Sequence, residues 1–77
     1  MVDKDEVAER ISEYGELLEE QGIKYKPRSY YRAAENIRSY DGSLRELAIQ
    51  GAAEKFQEID GVGPPIARHM AEYVIDN

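Results

Sequence analysis

The sequence predicts an all-α fold, a compact bundle of four to five helices, on three observations. Apolar residues recur at steps of three and four through most of the chain. No stretch alternates with the two-residue period of a strand. The segments in between are short and hold Gly, Pro, Asp or Ser, the residues that stop and start helices. At 77 residues the chain supports one hydrophobic core, so a single domain over 1–77 is expected.

The elements follow in order. Val7, Ile11, Tyr14 and Leu18 share one side of a first helix, which Asp3 or Asp5 can cap. Gly22 suits the left-handed residue that ends a helix, and Ile23 to Pro27 reads as a loop from which Pro27 opens the second helix. Tyr30, Ala33, Ala34 and Ile37 form the buried side of that helix, the two alanines being small enough to admit a close neighbour. Asp41-Gly42 ends it. Ser43-Leu44-Arg45-Glu46 has the form of a capping box and starts a short third helix running to about Gln50. After Gly51 the stretch from Ala52 to Glu58 is helix-prone with Phe56 as its anchor, and Ile66, Met70 and Val74 give the last helix an apolar stripe.

Composition narrows the function classes. The chain has no cysteine, which removes disulfides, thiolate metal sites and a cysteine nucleophile and fits a reducing compartment. The N-terminus has neither the basic start nor the apolar run of a secretory signal, and no stretch approaches about 18 consecutive apolar residues. A soluble, cytoplasmic protein without a membrane partner is expected, lying with the chromosome if prokaryotic. The lone histidine, His69, makes no metal site by side chains and reads as a boundary packing residue. Glu6, Glu9, Glu13, Glu16, Glu19 and Glu20 spread around an exposed face of the first helix and read as solvation rather than catalytic carboxylates.

The net charge of −6 is unevenly placed: residues 1–21 carry −6, residues 22–38 carry +4 and residues 39–77 carry −4. The single basic segment holds Lys24, Lys26, Arg28, Arg32 and Arg38 interleaved with Tyr25, Tyr30 and Tyr31. Cations mixed with ring faces suit a nucleic-acid strand, and Tyr30 and Tyr31 are the favoured stacking rings. Tyr14 and Tyr73 read as core edges instead.

Between the last two helices lies Ile59-Asp60-Gly61-Val62-Gly63-Pro64, which reads as the hairpin of a helix-hairpin-helix. Glycine is expected at both places because a tight turn needs unusual backbone angles and because a phosphate must approach the main chain without meeting a Cβ. Val62 between them plugs into the core. Backbone N–H groups at the start of the next helix then hold phosphate without reading sequence. Pro64 and Pro65 have no N–H to donate. Gly61, Val62, Gly63 and Ile66 remain as donors, Arg68 can add a charge-assisted contact, and weak, salt-sensitive binding follows.

Lys26-x-Arg28-x-Tyr30 with Ala33-Ala34, the pattern of the first helix and the run IDGVGPPIA together resemble the N-terminal domain of family X DNA polymerases, of the polymerase beta-like type. The resemblance runs from about Val7 to Ile75, is closest to bacterial and archaeal members, and does not include the polymerase catalytic domains. It implies a partner in DNA, single-stranded or gapped with a 5′-phosphate, a setting in DNA repair, and other repair proteins as companions. Lys26 and Tyr30 match positions that contact the 5′-phosphate in that family. Gln57 and Pro65 stand where phosphate-binding lysines lie. His69 stands where the lyase members have the lysine that forms a Schiff base, and an imidazole cannot become the nitrogen of an iminium. The resemblance also implies a monovalent cation, Na+ or K+, at the backbone carbonyls of Gln57, Ile59 and Val62.

The reading from sequence is therefore a non-catalytic DNA-binding domain, free-standing or cut from a larger polymerase-like protein. Its contacts are Lys26, Arg28, Tyr30, Arg32, Gly61, Val62, Gly63 and Arg68, directed at backbone and ends rather than sequence. The alternatives are a protein-interaction module with a decayed DNA face, as Pro64, Pro65 and Gln57 suggest, and a weak 5′-deoxyribose phosphate lyase using a displaced lysine such as Lys55.

Overall fold

The computed structural model describes residues 3–76 and is all-helical. Helix α1 spans Lys4–Glu20, α2 Lys26–Arg38, α3 Leu44–Lys55 and α4 Pro64–Asp76, with a single 3-10 turn at Phe56–Glu58. Asp3 caps α1, its side chain accepting the Glu6 N–H at 2.9 Å. The helix ends where Gly22 turns to φ +80 and the Ile23 N–H reaches back to the Leu18 carbonyl at 3.0 Å. Pro27 sits in the first turn of α2, where its missing N–H costs nothing.

Ser43 Oγ accepts the Glu46 N–H at 3.2 Å, so the serine half of the capping box opens α3. The helical path breaks at Gly51 (φ 157) and Ala52 (φ 35), as the glycine suggested, and resumes into the Phe56–Glu58 turn. Phe56 is fully buried and ties this stretch to the core with Ile11, Ile37, Met70 and Val7. Tyr30, Ala33, Ala34 and Ile37 are all buried, which seats α2 mainly on α1, while α4 packs on α3 and α1. Burying a side chain such as Ile11, Ile37, Phe56 or Met70 stabilises by roughly 1.5–3 kcal/mol, opposed by the entropy of ordering the chain.

Tyr14 and Tyr73 lie half-buried at the edge of the core. Arg10 caps the Tyr73 ring at 5.0 Å from its centroid. The first-helix acids Glu6, Glu9, Glu13, Glu16, Glu19 and Glu20 are all exposed. Lys4 Nζ donates to the Tyr40 carbonyl and closes the start of α1 onto the end of α2. Among the described residues no helix is long and apolar enough to cross a membrane, and no group of His, Cys, Asp or Glu could hold a metal ion.

Candidate functional site

The loop between the Phe56–Glu58 turn and α4 is the feature that organises the site. Ile59 and Val62 point into the core and are buried, pinning the loop at two places, and the Val62 N–H donates to the Ile59 carbonyl at 3.0 Å. The intervening Gly61 has φ +81, a conformation that L side chains rarely adopt. Gly63 does not share it. A Cβ built on Gly63 would meet only Pro65 Cδ at 3.9 Å, an ordinary contact. The expectation that both glycines supply unusual backbone angles is thus corrected: Gly61 makes the turn, and Gly63 keeps a surface bare.

A second correction concerns the donors. Val62 spends its N–H inside the hairpin, and Pro64 and Pro65 have none, so of the expected donors Gly61, Gly63 and Ile66 remain. The hairpin is held against α2 by Asn36, whose Nδ2 donates to the Asp60 carbonyl at 2.7 Å. Nothing in the sequence singled out Asn36. It lies one helical turn beyond Arg32, and only the packing of α2 against the hairpin brings its amide to that carbonyl.

Between α2 and the hairpin opens a pocket of about 330 Å³ lined by Lys26, Ser29, Tyr30, Gly61, Gly63, Pro65 and Ile66. Four of the residues expected from sequence, Lys26, Tyr30, Gly61 and Gly63, meet here although they are up to 37 positions apart. Arg32 flanks the hairpin, its Cγ lying 3.9 Å from where a Gly61 Cβ would be. Arg68 is exposed one turn into α4, Val62 belongs to the core, and Arg28 lies in a separate hollow.

That second hollow, of about 380 Å³, is lined by Glu19, Ile23, Lys24, Tyr25, Pro27, Arg28 and Tyr31. The Tyr31 hydroxyl donates to Glu19 Oε1 at 2.6 Å, and this bond to a carboxylate pushes the Tyr31 phenol up to about 12. Burial raises the Tyr30 phenol as well, since the ring is only 7% exposed. Neither ring is therefore the free stacking platform that the sequence suggested. The exposed ring is Tyr25, 90% accessible, at φ 51 and ψ −43. A non-glycine residue there is strained by about 1–3 kcal/mol, and such strain gathers at functional sites.

The start of α2 adds a long-range term. No side chain caps this N-terminus and no acid stands in its first turn, while Lys24, Lys26 and Arg28 crowd around it. A helix N-terminus favours anions, so each cation here opposes the dipole by about 0.3–1 kcal/mol. An arrangement that is unfavourable in the free protein becomes favourable once a phosphate lies among these groups.

His69 stacks on Tyr14 with ring centroids 4.2 Å apart and lies 6.0 Å from Tyr30. Its Nδ1 is buried without a hydrogen-bond partner. It is a packing wedge between α4 and the α1–α2 pair. Lys55 Nζ is paired with Glu58 Oε2 at 3.1 Å and does not line the pocket.

A family model described as a helix-hairpin-helix domain matches residues 2–77 of the chain. Neither a curated protein nor a solved structure matches it.

Proposed function

Because the chain belongs to the helix-hairpin-helix domain family, we propose that it is a non-catalytic domain that holds DNA by its phosphates without reading base sequence. Nucleic-acid binding in general is what membership of this family suggests. The finer reading is a 5′-phosphate, on a single-stranded or gapped substrate, seated between α2 and the hairpin. The observation that carries it is the convergence of Lys26, Tyr30, Gly61 and Gly63 on one pocket. Lys26 supplies charge, Gly63 leaves the main chain bare, and the N–H groups of Gly61, Gly63 and Ile66 are the directional donors.

The resemblance to family X polymerase N-terminal domains favours the same substrate and a role in DNA repair. Lyase chemistry is disfavoured because the histidine at the critical position is a wedged aromatic, and Lys55 is paired with Glu58 and lies outside the pocket lining. A cation at the Gln57, Ile59 and Val62 carbonyls would share the Ile59 oxygen with the Val62 N–H, and the binding proposed here does not depend on it. The interaction-module reading draws on the exposed acids of α1, which would meet a basic partner.

An amide-shift titration with a gapped, 5′-phosphorylated duplex tests the proposal. Shifts are expected at Lys26, Ser29, Gly61, Gly63 and Ile66. Affinity is expected to fall with salt at a log–log slope of about −2 to −3.5 for three or four phosphate contacts. Absence of shifts at low salt would favour the interaction module instead.

A further inference from the structure

The second hollow is not explained by phosphate binding. It has room for more than a phosphate, and its walls are Ile23, Pro27 and the rings of Tyr25 and Tyr31, with Lys24 and Arg28 beside them. The only acid in the lining is Glu19, and a carboxylate would repel a phosphate placed in the hollow. We propose that this hollow is a nucleobase subsite in which Glu19 selects a base carrying an exocyclic amino group, cytosine over thymine. The inference rests on the nucleic-acid reading above and amends it at one point: the contacts at the hairpin stay blind to sequence, while this subsite gives the strand beside it a base preference.

Three observations support it. Apolar and aromatic walls accept the flat face of any base, and Tyr25 presents its ring almost wholly to solvent on a strained backbone. The two cavities share the first turn of α2 as a wall. Lys26, Ser29 and Tyr30 line one side and Pro27, Arg28 and Tyr31 the other, across a helix about 10 Å wide. A strand anchored by a phosphate over Lys26 therefore reaches the hollow within a few nucleotides.

The third observation is the state of Glu19. Its Oε1 is engaged by the Tyr31 hydroxyl at 2.6 Å, which fixes the carboxylate while the other oxygen stays able to accept. A carboxylate accepts from N4 of cytosine, whereas thymine offers O4, another acceptor, at the same edge. Stacking alone would treat the two pyrimidines alike, so discrimination between them reports on Glu19 and not on the rings.

The test is fluorescence polarisation at low salt with 5′-phosphorylated single-stranded hexamers of deoxycytidine, of thymidine and of abasic sugar, using the whole chain. The wild type is expected to bind the cytosine hexamer at least about fivefold tighter than the thymine one, the discrimination of one hydrogen bond to a charged acceptor at an exposed site. Glu19→Gln is expected to erase that preference by tightening thymine binding. Lys26→Ala is expected to weaken all three hexamers while keeping the ratio. Equal affinity of the wild type for cytosine and thymine, or a ratio unchanged in Glu19→Gln, overturns the base subsite and leaves the phosphate reading standing. No binding to any hexamer overturns both.

Discussion

The two hairpin glycines allow folding and binding to be separated by a pair of matched substitutions. Gly61→Ala places a methyl group on a residue at φ +81, which costs about 1–2 kcal/mol in backbone strain. The new Cβ would also stand 3.0 Å from Asn36 Nδ2, so that amide must shift and its 2.7 Å bond to the Asp60 carbonyl is weakened, a further loss of about 0.5–1.5 kcal/mol. Together these amount to about 2 kcal/mol, or a fall in Tm of roughly 10 °C for a domain of this size. Gly63→Ala meets neither obstacle, because its nearest neighbour would be Pro65 Cδ at 3.9 Å. Its stability is expected to hold or to rise by about 0.4–1 kcal/mol through the unfolded chain. Its methyl group, however, enters the wall of the pocket and holds a phosphate off the main chain, with an expected loss of about tenfold in affinity for the loss of one charged hydrogen bond. Circular-dichroism melts and polarisation with a 5′-phosphorylated gapped duplex read the two effects separately. Unaltered binding by Gly63→Ala, or unaltered stability of Gly61→Ala, would refute the division of roles between the glycines.

Two further outcomes follow from the loop before α2. Tyr25→Gly removes a strained but solvent-exposed residue, so the denaturation midpoint is expected to rise, by roughly 1 kcal/mol in stability, while affinity for single-stranded DNA falls; a lower midpoint would show that the strain is illusory. Because the Tyr31 phenol is raised by its bond to Glu19, the stability from that bond is present in full below the ordinary tyrosine value near 10 and is lost as pH rises towards about 12. An ultraviolet titration is expected to lose one late-ionising tyrosine in Tyr31→Phe while that of the buried Tyr30 remains, and a late step of unchanged amplitude would refute the assignment to Tyr31.

Much of this molecule is legible in the residue order because local rules and the final packing agree. The Asp3 cap, the stop at Gly22, Pro27 in the first turn of α2, the Ser43 cap and the break at Gly51 each depend on neighbours within a few positions. Much of the core was readable for the same reason, since a 3.6-residue period marks the face that must leave water whatever it meets there, but Leu44 and Leu47 of α3 and the small Ala8, Ala67 and Ala71 went unmarked. The hairpin also announced itself, through apolar residues bracketing Gly61 and Gly63.

The site was only partly readable. Sequence alone assembled the basic segment and the hairpin as separate features, and favoured Tyr30 and Tyr31 over Tyr25 as stacking rings. Packing sorted them, burying Tyr30, tying Tyr31 to Glu19 and leaving Tyr25 outside, because helical phase and the seat of α2 on α1 decide which ring meets protein. Gly15 shows the same dependence: an added Cβ would lie 2.9 Å from Tyr31, a contact that exists only once α1 and α2 are docked. What the residue order determined by itself was the helices, their ends and the hydrophobic face of each, all set by interactions within a turn or two. What only the tertiary structure decided was which polar groups converge, Lys26 with the hairpin glycines and Asn36 with the Asp60 carbonyl, because those meetings depend on how rigid helices dock and not on any spacing along the chain.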